Sequence, residues 1–220
     1  MTEKRDDSLS RFVRFLEDND REGAVAFALS LLDSGDMTVP RLYETVLTPA
    51  LNRLVVPRET EDNLIWREHM HSGMVRSVVE SCLPYVYKAR EALKGHGDQG
   101  LVLLACPQEE YHELGVRMGA DYFLMLGYRT VYVGSNTPRD TLVSAVEETK
   151  PDIVVLSVTN YLNLAQIPAI VQALRAVSGD LKIYLAGSAL QHTGKTAADF
   201  QTDGIVNSYD DVLGIREGTL

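Results

Sequence analysis

Beyond residue 100 the chain alternates short runs of apolar and β-branched residues with stretches of helical periodicity, and this alternation restricts its fold more than any other feature. The runs are 101–106 (LVLLAC), 130–133 (TVYV), 153–158 (IVVLSV) and 183–185 (IYL), with a weaker fifth at 204–206 (GIV). Strand–helix alternation implies parallel strands joined by right-handed crossovers, and unbroken apolar runs fit strands covered on both faces.

The expected fold class is therefore α/β, with an N-terminal helical bundle over residues 1–95 followed by a flavodoxin-like (Rossmann-type) five-stranded parallel sheet domain over residues 100–220. Five strands favour the order that places ligands beyond the carboxyl ends of the strands. The bundle is read from apolar residues that recur at three and four: Phe12, Phe15 and Leu16, then Ala24, Phe27, Ala28, Leu31 and Leu32. Ser34-Gly35-Asp36 ends that second helix, and Thr38 before Pro40 starts a third with Leu42, Val46, Leu47, Leu51 and Leu54 on its face. Pro49 is expected to kink it. A long helix from Glu61 or Asp62 carries Trp66 and His69 toward Pro84, and Tyr85 to Leu93 continue it. The glycine-rich run Lys94 to Gly100 suits a boundary between domains.

The balance of 21 Lys and Arg against 31 Asp and Glu leaves a formal charge of −10, and neither half of the chain is basic. Affinity for nucleic acid rests mainly on cationic contacts to phosphate, so direct DNA or RNA binding is not expected. No signal-like leader opens the sequence and no run of 18 apolar residues occurs, so the expected location is cytoplasmic, away from membranes. Cys82 and Cys106 fall in apolar contexts and define no disulfide framework or zinc spacing.

The chemistry-bearing residues gather after the strands. The loop behind the first strand reads Pro107-Gln108-Glu109-Glu110-Tyr111-His112-Glu113-Leu114-Gly115. An imidazole whose second nitrogen bonds a carboxylate is held in one tautomer and becomes a more basic metal ligand, a pairing that Glu110 and His112 suit. Taken alone, a histidine opening a helix is an ordinary capping or surface residue. The third run closes with Ser157-Val158-Thr159 and the fourth with Ala186-Gly187-Ser188, so small and hydroxyl residues edge the same side of the sheet. They let a ligand approach the backbone closely, although each is also common turn chemistry.

Together, Glu110-x-His112-x-x-Gly115, Ser157-x-Thr159 and Gly187-Ser188 resemble the three-part signature of cobalamin-binding domains, in order, spacing and strand placement. The resemblance implies His112 as the lower axial ligand of cobalt and Glu110 as the partner behind it. Gly115 would be a close helix approach, and Ser157, Thr159, Gly187 and Ser188 a pocket for the displaced nucleotide tail. Thr159 stands where the family usually has Leu, and Ser188 where it usually has Gly. The resemblance extends to the first half, because a helical bundle covers the upper face of the corrin in such modules.

Two subfamilies share that layout: corrinoid carrier proteins of methyltransferase systems, and cobalamin-dependent photoreceptor regulators whose bundle carries Trp, nine residues, then Glu-His. Here Glu68-His69 matches, but the Trp position falls on Arg58. Trp66, two residues before Glu68, is about 200° away around a helix. The expected cofactor-binding set therefore includes Trp66, Glu68 and His69, with a helix-surface pair and a core Trp as the plain alternatives. The upper ligand is left open among adenosyl, methyl, water and a histidine, either His69 or His71. Ahead of the carrier, the sequence places a light- or redox-responsive sensor module, cobalamin bound base-off and His-on, that signals through a protein partner. The alternative is the corrinoid carrier protein of a methyltransferase system, a methyl-carrying subunit that is not an enzyme by itself. A regulator or a methyltransferase is the implied partner, and homo-oligomers are compatible with both. A third reading is a flavodoxin-like interaction domain that has lost its ligand.

Overall fold

Apolar residues every three to four positions, closed by polar caps, make the first half of the chain helical. The computed structural model describes residues 2–53, 61–93 and 98–220. Two compact units make up the chain, Met1–Lys88 and Ala89–Leu220. In the first, α1 (Thr2–Glu17) precedes α2 (Arg21–Asp33), whose start is capped by Asp20 accepting the Gly23 N–H at 2.8 Å. Thr38 caps α3 (Val39–Leu42), with Pro40 in its first turn.

A π turn over Tyr43–Leu47 joins α3 to α4 (Thr48–Arg53). Where the sequence predicts a kink at Pro49, the helix instead widens one turn earlier. Proline lacks the N–H for the carbonyl four residues back and its ring crowds that carbonyl, which a π turn relieves. Then come α5 (Glu61–Ser81) and α6 (Leu83–Ala92), the latter running across the division between units. Phe12, Leu42, Tyr43, Val46 and Val75 are fully buried, and the Tyr43 hydroxyl donates to the Val79 carbonyl of α5 at 3.4 Å. Leu54, Arg58 and the run Lys94–Gly97 lie outside the described residues.

The second unit alternates as expected: β1 (Leu101–Pro107), α7 (Leu114–Met125), β2 (Arg129–Thr137), α8 (Arg139–Thr149), β3 (Ile153–Ser157), a 3₁₀ turn (Tyr161–Gln166), α9 (Ile167–Val177), β4 (Lys182–Ala186), β5 (Gly204–Ile205) and α10 (Tyr209–Glu217). All five strands are parallel in the order β2-β1-β3-β4-β5. The chain leaves β1 toward β2 on one side and returns beside β1 as β3, so the crevice opens beyond the carboxyl ends of β1 and β3. β2 is longer than the 130–133 expected. Its second half, Gly134-Ser135-Asn136-Thr137, reads as a turn, yet it stays paired through register shifts after Leu104 and after Ala105.

Pleating sorts the strands' side chains between two faces. Leu103, Val154, Leu156, Ile183 and Leu185 pack into the core beside α8 and α9. Their neighbours Leu104, Cys106, Val155, Ser157 and Ala186 therefore face the other side, where α7 and α10 pack. Truncating one buried leucine of such a core to alanine costs about 2–5 kcal/mol.

Candidate functional site

The loop after β1 is organised by one carboxylate. Glu110 is wholly buried, and its Oε2 accepts the Thr159 N–H at 2.9 Å, the Asn160 N–H at 2.8 Å and the Asn163 Nδ2–H at 3.2 Å. Its Oε1 takes the His112 N–H at 3.2 Å and lies 2.5 Å from His112 Nδ1. Burial pushes the Glu110 pKa up. The bonds from the His112 ring, the Asn160 N–H, the Asn163 amide and the Thr159 N–H outweigh that and hold it at about 2. An ionised carboxylate only accepts, so the shared proton belongs to His112 Nδ1 and the imidazole lone pair to Nε2. The ring is 59 % exposed while its carboxylate partner is 0 % exposed, so the acceptor anchors and the imidazole faces outward.

Amide side chains from β2 and from the 3₁₀ turn after β3 grip the same loop. Glu109 and Asn136 both have left-handed backbone, φ +64° and +49°. Asn136, in β2, accepts the Glu109 N–H at 2.9 Å and donates its own N–H to the Glu110 carbonyl at 2.9 Å. From the 3₁₀ turn after β3, Asn163 donates to the Glu109 carbonyl at 3.1 Å and Gln166 to the Gln108 carbonyl at 2.8 Å. The sequence reading misses all three, since an asparagine or glutamine in a turn carries no spacing signal. Beneath the loop the Cys106 thiol is pushed up to about 12 by burial and by the charges of Glu110 and Glu113, which keeps it protonated. Beside it the Tyr132 hydroxyl donates to Glu113 Oε2 at 2.5 Å, and the Arg117 guanidinium stands 5.2 Å from the Tyr132 ring centroid.

On the α7 and α10 face, Ser157 is buried, at 2 % exposure. Gly115 and Gly119 lie one turn apart on α7, and a Cβ built on either would meet nothing within 4 Å. Packing of the helix on the sheet thus does not require glycine at 115, contrary to the close approach expected there. A helical glycine costs about 1 kcal/mol against alanine. Here the position is exposed, and a side chain would enter open space.

Gly187 is different: φ is +91°, a Cβ would strike the Val158 carbonyl, and its N–H is held by Asn207 Oδ1 at 2.9 Å. That glycine is required by the turn itself. Ser188 opens a short 3₁₀ turn, and Thr159 is joined to the carboxylate through its N–H.

Trp66, Glu68 and His69 lie on α5, in the first unit. Trp66 is 55 % exposed with the Arg67 guanidinium 5.5 Å from its ring, so it is not a core residue. Glu68 accepts the Ser72 hydroxyl at 2.9 Å and lies 3.7 Å from His69 Nε2. His71 is buried, its Nδ1 is without a hydrogen-bond partner among the described residues, and burial lowers its pKa. Among the described residues no helix is long and apolar enough to cross a membrane.

Comparison with known proteins gives this geometry a context. At 29% identity over 150 residues, 68% of this chain and 48% of the relative, it resembles the HTH-type transcriptional repressor CarH of Myxococcus xanthus. The repressor CarA of the same organism is 30% identical over 121 residues, 55% of this chain and 38% of CarA. The chain thus spans about half or less of the length of these curated relatives.

Among solved structures, the monomethylamine corrinoid protein of Methanosarcina barkeri superposes with a TM-score of 0.80 at 11% identity, covering 98% of this chain and 99% of that one. A cobalamin-binding protein from Desulfitobacterium hafniense DCB-2 gives 0.50 at 18% identity, with 96% and 98% covered. The methanol:cobalamin methyltransferase complex MtaBC of M. barkeri gives 0.50 at 13%, with 97% and 79% covered. At such identities these likenesses speak for the fold. The B12 binding domain family matches residues 100–209, half of the 220-residue chain and the whole span from β1 to the start of α10, and the chain belongs to that family.

Proposed function

We propose that this protein holds a corrinoid with His112 Nε2 on the lower face of the cobalt and Glu110 fixing the imidazole from behind, and that it serves as the corrinoid carrier of a methyltransferase system. The observation that carries the reading is the buried, ionised Glu110, which keeps the proton on Nδ1 of a half-exposed imidazole at the sheet's carboxyl edge. The donor set fits the group: one imidazole suits a metal that brings its remaining ligands in a macrocycle. The nucleotide tail would enter beside Gly115 and the Ser157 hydroxyl, where small residues leave space, and end near Gly187 and Ser188.

When bound, the corrinoid supplies methyl transfer at cobalt, and the partner enzymes supply donor and acceptor. The chain's own part is positional. Glu110 sets the imidazole tautomer and orientation, and the N–H groups of Thr159 and Asn160 keep that carboxylate charged. The likeness to a corrinoid protein over nearly the full length of both chains supports the carrier over the sensor that the sequence puts first. The sensor reading keeps the support of Glu68-His69 and of the similarity to two repressors.

Reconstitution with hydroxo-, methyl- and adenosylcobalamin in the dark, with visible spectra and size-exclusion chromatography before and after illumination, separates the two. A carrier takes methylcobalamin with no light-dependent change in mass, whereas a sensor changes spectrum and assembly together. His112→Ala is expected to fold and to lose the imidazole-ligated spectrum; an unchanged spectrum overturns the axial assignment. Failure to retain any corrinoid overturns both readings.

A further inference from the structure

We infer that Asn136, on the edge strand β2 and outside every signature motif, is a positioning residue that sets the His112 loop in its ligating conformation. The inference rests on the lower-face reading above. Residue 109 is gripped through both of its backbone groups: its N–H by Asn136 Oδ1 at 2.9 Å, its carbonyl by Asn163 Nδ2 at 3.1 Å. Because β1 lies between β2 and β3, the two amides hold the loop from opposite flanks. Asn163 also touches the Glu110 carboxylate, so its effect mixes charge with position. Asn136 is bonded, among the described residues, to backbone alone: its Oδ1 takes the Glu109 N–H and its own N–H goes to the Glu110 carbonyl.

The backbone explains why the position is an asparagine. Glu109 and Asn136 are both left-handed, at φ +64° and +49°, a conformation that asparagine, aspartate and glycine tolerate better than other residues. Asn136 adds an acceptor that glycine lacks, aimed at the strained Glu109 peptide two residues before the Tyr111–His112 bond. Thr137 pins the strand end from the next position, buried and donating its hydroxyl to the Gly134 carbonyl at 3.2 Å. A loop with Glu109 released samples conformations in which the Glu110–His112 pair no longer points from the sheet edge. Ligation by His112 then has to restore that order.

Two variants test this. Asn136→Gly keeps the backbone conformation and removes the acceptor; Asn136→Asp keeps both. Each full-length protein is loaded with methylcobalamin at pH 7, and the ratio of imidazole-ligated to released cofactor is read from the visible spectrum. Amide hydrogen exchange at Glu109 is read in the cofactor-free protein. Asn136→Gly is expected to lower the ligated-to-released ratio about fivefold, the change that one hydrogen bond makes in an equilibrium. It should also speed exchange at Glu109 by a similar factor, while Asn136→Asp stays within twofold of the parent in both.

An unchanged ratio in Asn136→Gly, or an Asn136→Asp variant as impaired as the glycine one, overturns the inference. If the parent protein itself never shows an imidazole-ligated spectrum, the lower-face reading has failed, and the positioning role falls with it. Exchange at Glu109 then reports only whether the clamp orders the loop.

Discussion

Replacing Glu110 by glutamine probes the site most directly, because the carboxylate's work can be put in numbers. The group ordinarily titrates at 4.5 and is held at about 2 in the folded protein, a difference of about 2.5 units or about 3 kcal/mol in favour of the folded, ionised state. Since the folded value is the depressed one, this stability is present above about pH 4.5. It is lost as the pH falls through about 2.

Glutamine has a single acceptor oxygen. If it faces Thr159, Asn160 and Asn163, its NH₂ group meets the His112 N–H and forces Nδ1 to accept, which moves the ring proton to Nε2, the atom meant for the metal. Glu110→Gln is therefore expected to lose about 3 kcal/mol at pH 7 in urea unfolding of the cofactor-free protein. With a slope of roughly 2 kcal/mol/M that is a midpoint shift of about 1.5 M. The variant also loses the imidazole-ligated spectrum with methylcobalamin. The stability gap should close toward pH 2, where the parent's carboxylate is itself about half protonated. His112→Ala, measured alongside, loses ligation but gives up only one of the five hydrogen bonds to the carboxylate that residues 112, 159, 160 and 163 supply. A Glu110→Gln protein with the parent's urea midpoint, or with its ligated spectrum intact, refutes the reasoning.

Other expectations follow from the glycines. Gly115→Ala is expected to stabilise the cofactor-free protein by about 1 kcal/mol in thermal or urea melts, because its Cβ meets nothing and helix propensity improves. Gly115→Phe should leave the melting curve near the parent's and weaken cobalamin binding at least tenfold in equilibrium titrations, if the nucleotide tail takes the proposed path past that residue. Gly187→Ala combines a left-handed φ of +91° with a Cβ driven into the Val158 carbonyl, so it should cost about 2–4 kcal/mol in urea unfolding.

Much of the lower-face site is legible in the order of the amino acids. The strand runs locate the sheet's carboxyl edge, and Glu110-x-His112 places an acid and an imidazole two residues apart just beyond it. Ser157 and Thr159 then fall at the end of β3 and Gly187 and Ser188 at the end of β4, as the alternation requires. Illegible are the residues that act through their amides or through backbone: Asn136, Asn163, Gln166 and the N–H groups of Thr159 and Asn160. Their partners lie between 26 and 58 residues away in sequence, so no local pattern marks them. Gly115 and Gly187 look alike in a sequence. Yet one leaves open space and the other satisfies a turn, a difference that depends on what lies across from each.

By itself the sequence determines where strands and helices form, which side of each is apolar and which end of the sheet carries chemistry, since all three depend on periodicities of two and 3.6 within short windows. Tertiary structure alone decides that a glutamate on that edge is fully buried yet ionised. That outcome needs five hydrogen bonds, three of which come from a different crossover loop, and their summed strength against desolvation exists only once distant segments meet.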